Sequence, residues 1–172
     1  MKRLIPLLIL MSFFPFLAKA DPLPLGSPAP LITAKDQDGA DLAFGDVYAK
    51  GLTLVYFYPK AETPGCTAEA CSLRDSYADL NGLGLRILGV SRDTPEAQKA
   101  FQKNRHLPFT LIADTDGKVA EAFHVPLYPV VGMTKRQSFL IRDGKIVWST
   151  PGAQTSGAAA EIRSAVESLG KQ

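Results

Sequence analysis

A chain of 172 residues that is 46% hydrophobic and 21% charged has the composition of a globular domain and excludes a disordered polyelectrolyte. Its 19 Lys and Arg nearly balance 17 Asp and Glu, and no basic run or aromatic-basic patch marks a nucleic-acid face. The two histidines, His106 and His124, stand apart with no acidic cluster or further cysteine beside them, so no metal site and no cofactor is expected.

Residues 1–20 have the pattern of a secretory signal. Lys2 and Arg3 form a basic start, Leu4–Leu17 is apolar apart from Ser12 and two prolines, and Ala18-Lys19-Ala20 offers a cleavage site before Asp21. The run falls short of the roughly 20 apolar residues of a membrane-spanning helix; a retained anchor is the alternative. Cleavage after Ala20 leaves 16 basic residues against 17 acidic ones, so charge points to no anionic partner. The expectation is an exported, periplasmic protein with no stable membrane association once cleaved. About 150 mature residues suit one domain with a full core. In an oxidising compartment, two cysteines are by default a disulfide.

Asp21–Pro30 is proline-rich and reads as an extended segment leading into a strand near Leu31–Thr33. Asp36-Gln37-Asp38-Gly39 is a turn, and Asp41–Phe44 is the return strand of an N-terminal β-hairpin. Leu52–Tyr58 is apolar, aromatic and β-branched, as a central buried strand should be. A helix follows over Pro64–Leu80, then a strand at Leu85–Ser91, a helix at Thr94–Asn104 and a strand at Phe109–Ala113. Asp114–Gly117 turns into a short helix through Phe123, and Pro126–Met133 is loop. Gln137–Arg142 and Lys145–Ser149 flank Asp143-Gly144, a strong hairpin turn. Gly157–Leu169 is a terminal amphipathic helix. This order predicts an α/β domain over residues 31–172, with a mixed sheet covered by helices on both faces.

The cysteines, Cys66 and Cys71, fall in the first long helix. Thr63 is placed as N-cap and Pro64 as first helical residue, a combination that starts helices well. Cys66 then sits in the first turn, where unpaired N–H groups and the positive end of the macrodipole favour thiolate over thiol. Cys66, Ala70, Leu73, Tyr77 and Leu80 make an inward-facing helical stripe. Cys71 lies roughly 140° around the helix from Cys66, with Cα atoms about 8.6 Å apart. A relaxed disulfide tolerates less than about 7 Å, so bridging the pair means unwinding a turn. That fits a switching redox pair better than a permanent staple, which stays the alternative.

Here the residues resemble the peroxiredoxins. Pro59-Lys-Ala-Glu-Thr63-Pro-Gly-Cys66 matches that family's Pro-x-x-x-Thr-x-x-Cys motif. The Cys-x4-Cys spacing within Pro-Gly-Cys-Thr…Cys-Ser-Leu-Arg-Asp resembles the peroxiredoxin Q branch, also called bacterioferritin comigratory protein. Ser27–Pro30, Asp36–Gly39, Gly89–Ser91 and Arg136–Ile141 fall in family order. The resemblance implies a thioredoxin-like fold and a thiol-dependent peroxidase acting on hydrogen peroxide or organic hydroperoxides. It makes Cys66 the peroxidatic nucleophile, Cys71 the resolving thiol and Cys66–Cys71 a redox-active disulfide. Thr63 would orient thiolate and peroxide, with helix capping as a competing use of the same oxygen. Pro59 would shield the site from water, and Arg136 would stabilise the negative charge that develops as the O–O bond breaks. A thioredoxin-like or glutaredoxin-like protein is implied as reductant, and a monomer as the working form.

Two other redox readings compete. An exported thiol–disulfide oxidoreductase would want Cys-x-x-Cys, which the chain lacks. A copper-handling thioredoxin-like protein would want a close cysteine pair and a downstream histidine, for which His124 is the one candidate. Glu62 and Glu69 flank the site and could tune it, although acids at a helix start usually stabilise the dipole; Trp148 and Tyr128 read more as packing residues than as a substrate platform.

Overall fold

The computed structural model describes residues 23–170, so the signal-like segment 1–20 and the first two residues of segment 21–30 lie outside it. The elements run β1 (Thr33–Asp36), β2 (Asp41–Ala43), α1 (Phe44–Tyr48), β3 (Thr53–Phe57), α2 (Pro64–Asp75), α3 (Tyr77–Gly82) and β4 (Arg86–Ser91). They continue α4 (Pro95–Arg105), β5 (Thr110–Ala113), α5 (Lys118–Ala122), β6 (Gln137–Arg142), β7 (Lys145–Pro151) and α6 (Ala158–Leu169). Seven strands form one mixed sheet in the order β2-β1-β5-β4-β3-β6-β7. β3 pairs in parallel with β4 and β4 with β5, while β6 lies antiparallel to β3. The N-terminal hairpin is the sheet's outer edge, joined to β5 through β1.

Side-chain alternation along β3 divides the core. Leu54, Tyr56 and Tyr58 pack on one face with Cys66, Ala70 and Leu73 of α2, Phe101 of α4 and Ile162 of α6. Val55 and Phe57 pack on the other with Phe44 and Tyr48 of α1, Val119 of α5, Phe123 and Phe139. β3 is buried along its whole length because helices cover both faces, and its sequence is correspondingly apolar throughout.

Four expectations change. The first strand, expected near Leu31–Thr33, runs instead over Thr33–Asp36, into the residues read as a turn. Asp41–Phe44 is shorter as a strand, because Phe44 opens α1 instead: its N–H donates to the Ile32 carbonyl at 2.9 Å, and its ring is fully buried. The helix expected over Pro64–Leu80 is two helices that break at Ser76 (φ −103°, ψ 8°). The stripe survives the break, with Leu80 buried and Tyr77 packed at the margin of the core. The described part of segment 21–30 is not simply extended. It turns at Pro24–Ser27, where the Ser27 N–H donates to the Pro24 carbonyl at 3.2 Å, and the Ala29 N–H then donates to Gly144 O at 2.8 Å. No helix among the described residues is long and apolar enough to cross a membrane.

Candidate active site

β3 ends at Phe57, and residues 58–63 carry the chain to the start of α2. A polar network holds this short loop. Gln98, fully buried on α4, takes the Tyr58 hydroxyl on Oε1 and donates from Nε2 to Ser91 Oγ at 2.9 Å and Ile112 O at 2.8 Å. Ser91 in turn donates to Asp93 Oδ2 at 2.6 Å, and the same oxygen accepts the Ala61 N–H at 2.8 Å. From the other side, the Thr134 hydroxyl donates to Tyr58 O at 2.7 Å. Glu62 takes a left-handed φ of 61°, uncommon for a residue with a side chain. Its carboxylate is gripped by Asn104 Nδ2 at 2.9 Å and Arg105 Nε at 2.9 Å, so the end of α4 secures the turn. Glu62 is thus a loop anchor, too far before the helix start to act as a first-turn acid.

Thr63 stands at the N-cap position of α2 in extended conformation, and Pro64 opens the helix. The Thr63 hydroxyl, however, makes no capping bond; it donates to the Lys60 carbonyl at 2.9 Å. Its proton is committed there, which leaves the oxygen lone pairs as acceptors. Pro59 is half-buried and lines a cleft of about 500 Å³ with Lys60, Arg92, Asp93, Val131 and Met133.

Cys66 is 1% exposed and faces the sheet. β6 lies beside β3, and the residue just before β6 is Arg136. Its Nη2 donates to Cys66 Sγ at 3.2 Å, while Nη1 is ion-paired with the Glu69 carboxylate. Strand pairing therefore brings together a cysteine and an arginine separated by 70 positions. Burial works against the guanidinium charge, but Glu69 and Cys66 beside it more than compensate and hold Arg136 firmly protonated. Glu69 is itself 1% exposed, and burial pushes its carboxyl up to about 8 despite the opposing pull of Arg136. Of its two readings, tuning the site fits Glu69 and stabilising the dipole does not. It is a buried partner of Arg136, and the sequence signal available was its place three residues after Cys66, on the same helical face.

Cys71 lies in the same helix, half-buried, and both cysteines are free thiols. Near it, Arg74 donates from Nη1 to the Arg105 carbonyl at 2.8 Å. The structure thus brings Arg136 to Cys66, with Thr63 at the N-cap of the helix that carries Cys66 and Cys71, while Pro59 lines a cleft with Lys60 and Asp93. His124 and His106 each close a helix in left-handed conformation, and among the described residues no group of three His, Cys, Asp or Glu side chains is placed to hold a metal ion. Trp148 packs against the core as expected, but Tyr128 is 42% exposed with Lys135 over its ring.

The AhpC/TSA family pattern matches residues 25–149. Peroxiredoxin Bcp of Escherichia coli (strain K12) is 44% identical over 132 residues, which are 73% of this chain and 84% of that protein. A chloroplastic peroxiredoxin Q of Populus jackii is 40% identical over 116 residues, 67% of this chain and 54% of that one. The chain thus spans about half the length of the chloroplastic relatives it matches. Among solved structures, peroxidoxin BcpB of Mycobacterium tuberculosis aligns at a TM-score of 0.79 and 26% identity, covering 84% of this chain and 97% of that one. Peroxiredoxin Q of Xanthomonas campestris aligns at 0.75 and 26%, covering 85% and 96%. A thioredoxin-like sheet, a cysteine opening the helix after its central strand, and relatives of one kind in both sequence and structure lead to one assignment: the chain belongs to the AhpC/TSA family, on its peroxiredoxin Q/Bcp branch.

Proposed function

We propose that the protein is a thiol-dependent peroxidase in which Cys66 is the peroxidatic nucleophile. The observation that carries this reading is the Arg136 guanidinium donating to a buried Cys66 Sγ in the first turn of α2. A cation fixed at the sulfur stabilises the negative charge that passes to the departing oxygen as the O–O bond breaks. The thiolate attacks one oxygen of the hydroperoxide. The O–O bond breaks, Cys66 becomes a sulfenic acid, and the other oxygen leaves as water or alcohol after taking a proton. Thr63, with its own proton held by Lys60 O, accepts the hydrogen bond of the incoming peroxide, and Pro59 limits access of water.

Cys71 then attacks the sulfenic sulfur, forming the Cys66–Cys71 disulfide and releasing water. Both residues sit in one helix, so this step requires part of α2 to unwind. A thioredoxin-like or glutaredoxin-like dithiol reduces the disulfide and is itself oxidised. Hydrogen peroxide and organic hydroperoxides are both substrates in this reading; alkyl peroxide reduction is described for a structural relative, the bacterioferritin comigratory protein of Xanthomonas campestris. The basic start, apolar run and Ala-Lys-Ala of residues 1–20 support export to the periplasm with cleavage after Ala20. The branch resemblance supports a monomer. A thiol–disulfide oxidoreductase or copper carrier is less well supported, since the cysteines are five apart and, among the described residues, no group of three His, Cys, Asp or Glu side chains is placed to hold a metal.

Anaerobic stopped-flow mixing of reduced protein with hydrogen peroxide, read by Trp148 fluorescence, tests the proposal. Oxidation far faster than that of a free thiol, abolished in Cys66→Ser and stopped at the sulfenic acid in Cys71→Ser, is the expected result. Reaction no faster than a free thiol, with organic hydroperoxides as well, overturns it.

A further inference from the structure

Gly65 occupies the second position of α2, between the proline that opens the helix and the cysteine. Its φ lies outside the left-handed region, so backbone conformation does not call for glycine there. On helix energetics alone an alanine would be better, because glycine loses more backbone freedom on folding. The reason for glycine is on its outer side. A Cβ at this position would stand 2.8 Å from Arg136 Nη2 and 3.6 Å from Thr155 Cγ2. That nitrogen is the one that donates to Cys66 Sγ at 3.2 Å. The obstacle to a methyl group is therefore not backbone but the tip of a long side chain, which yields at little cost to the fold. What yields is the contact with the sulfur.

We infer that Gly65 is a positioning residue for the peroxide reaction: its missing side chain lets the Arg136 guanidinium lie against the first turn of α2 and reach Cys66. This rests on the peroxidase reading of the same site. Glu69 on Nη1 and Gly65 beneath Nη2 fix the two ends of the guanidinium, one by attraction and the other by leaving room. Thr155, in the stretch between β7 and α6, borders the same space, with its Cγ2 3.6 Å from where that Cβ would stand.

The test compares wild type, Gly65→Ala, Arg136→Gln and the double variant. Each reduced protein is mixed with hydrogen peroxide, and the oxidation rate, the ultraviolet absorbance of the thiolate at neutral pH and the thermal midpoint are recorded. Gly65→Ala is expected to slow oxidation by about tenfold or more, part of the 10²–10³ that losing a preorganised donor costs. Its thiolate absorbance is expected to fall while its midpoint is unchanged or raised. In the Arg136→Gln background the same methyl is expected to alter the rate by less than about twofold, since the two changes act through one contact. A Gly65→Ala protein as fast as a fast wild type overturns the inference and leaves the peroxidase reading intact. Equal slowing in both backgrounds overturns it as well, because the methyl would then act on the helix and not on the guanidinium. A wild type no faster than a free thiol removes the peroxidase reading, and the inference with it.

Discussion

Glu69→Gln isolates the one buried acid of the site, keeping its size and an acceptor for Arg136 while removing its titration. Burial holds the carboxyl at about 8 in the folded protein, against 4.5 for the free group. Between those values the folded chain keeps a proton that the unfolded chain has released. A raised folded pKa means stability that is complete below the lower value and is lost as pH climbs toward the upper one. One proton of difference changes unfolding free energy by about 1.4 kcal/mol per pH unit. Urea unfolding of reduced wild type and Glu69→Gln, in unit pH steps across this window, reads the effect. The wild-type-minus-variant difference is expected to fall by up to about 1.4 kcal/mol per step, steepest mid-window. Groups that both proteins share and that lie away from Glu69 cancel in that subtraction. Parallel curves, or a wild type that gains on the variant as pH rises, would refute a carboxyl raised by burial and point to one kept ionised by Arg136.

Elsewhere the packing makes sharper demands. A Cβ on Gly89 would meet Tyr56 Oη at 2.7 Å and Leu111 Cδ2 at 2.8 Å, so Gly89→Ala should cost about 1–3 kcal/mol in urea unfolding, as overpacked cores do. Gln98→Leu removes the partner of Tyr58 Oη and Ile112 O at a buried site; a loss of about 1–3 kcal/mol is expected, together with slower peroxide oxidation as Ser91 and Asp93 release the Ala61 N–H. Glu62→Ala breaks a partly exposed ion pair and should cost less than about 1 kcal/mol. Its effect should appear instead as faster amide hydrogen exchange at residues 61–63 by mass spectrometry.

The elements legible from sequence were those with a strong local signal. Leu52–Tyr58 announced a central strand by composition, Asp143-Gly144 a hairpin by turn chemistry, and Thr63-Pro64 a helix start by capping rules. The break at Ser76 was hidden because α3 continues the buried stripe of α2, and periodicity reads a face, not a hydrogen-bond ladder. Phe44–Tyr48 was hidden for the opposite reason: five residues carry too little pattern, and the buried Phe44 side chain decides the outcome. Within the site, Cys66, Thr63 and Pro59 stood out through the motif, and Arg136 through its place before a strand in family order; the structure brings Arg136 to Cys66. The partnership of Glu69 did not stand out, because an acid in an early helical turn usually faces water and its partner lies 67 positions away. The Thr63 hydroxyl does not cap the helix but donates to the Lys60 carbonyl within the loop, a contact that the motif did not reveal.

The register of β6 against β3 has a consequence for the order in which the protein acquires its chemistry. Helix α2 is built from neighbours in sequence and is able to form early, whereas pairing across β3 and β6 closes a long loop and comes late in folding. In a chain that emerges N-terminus first, Cys66 is in place well before Arg136 has been made. Until β6 docks, Cys66 has no guanidinium at its sulfur. On the peroxidase reading proposed above, a chain whose sheet is incomplete would lack the Cys66–Arg136 contact and would react with peroxide more slowly than the finished fold.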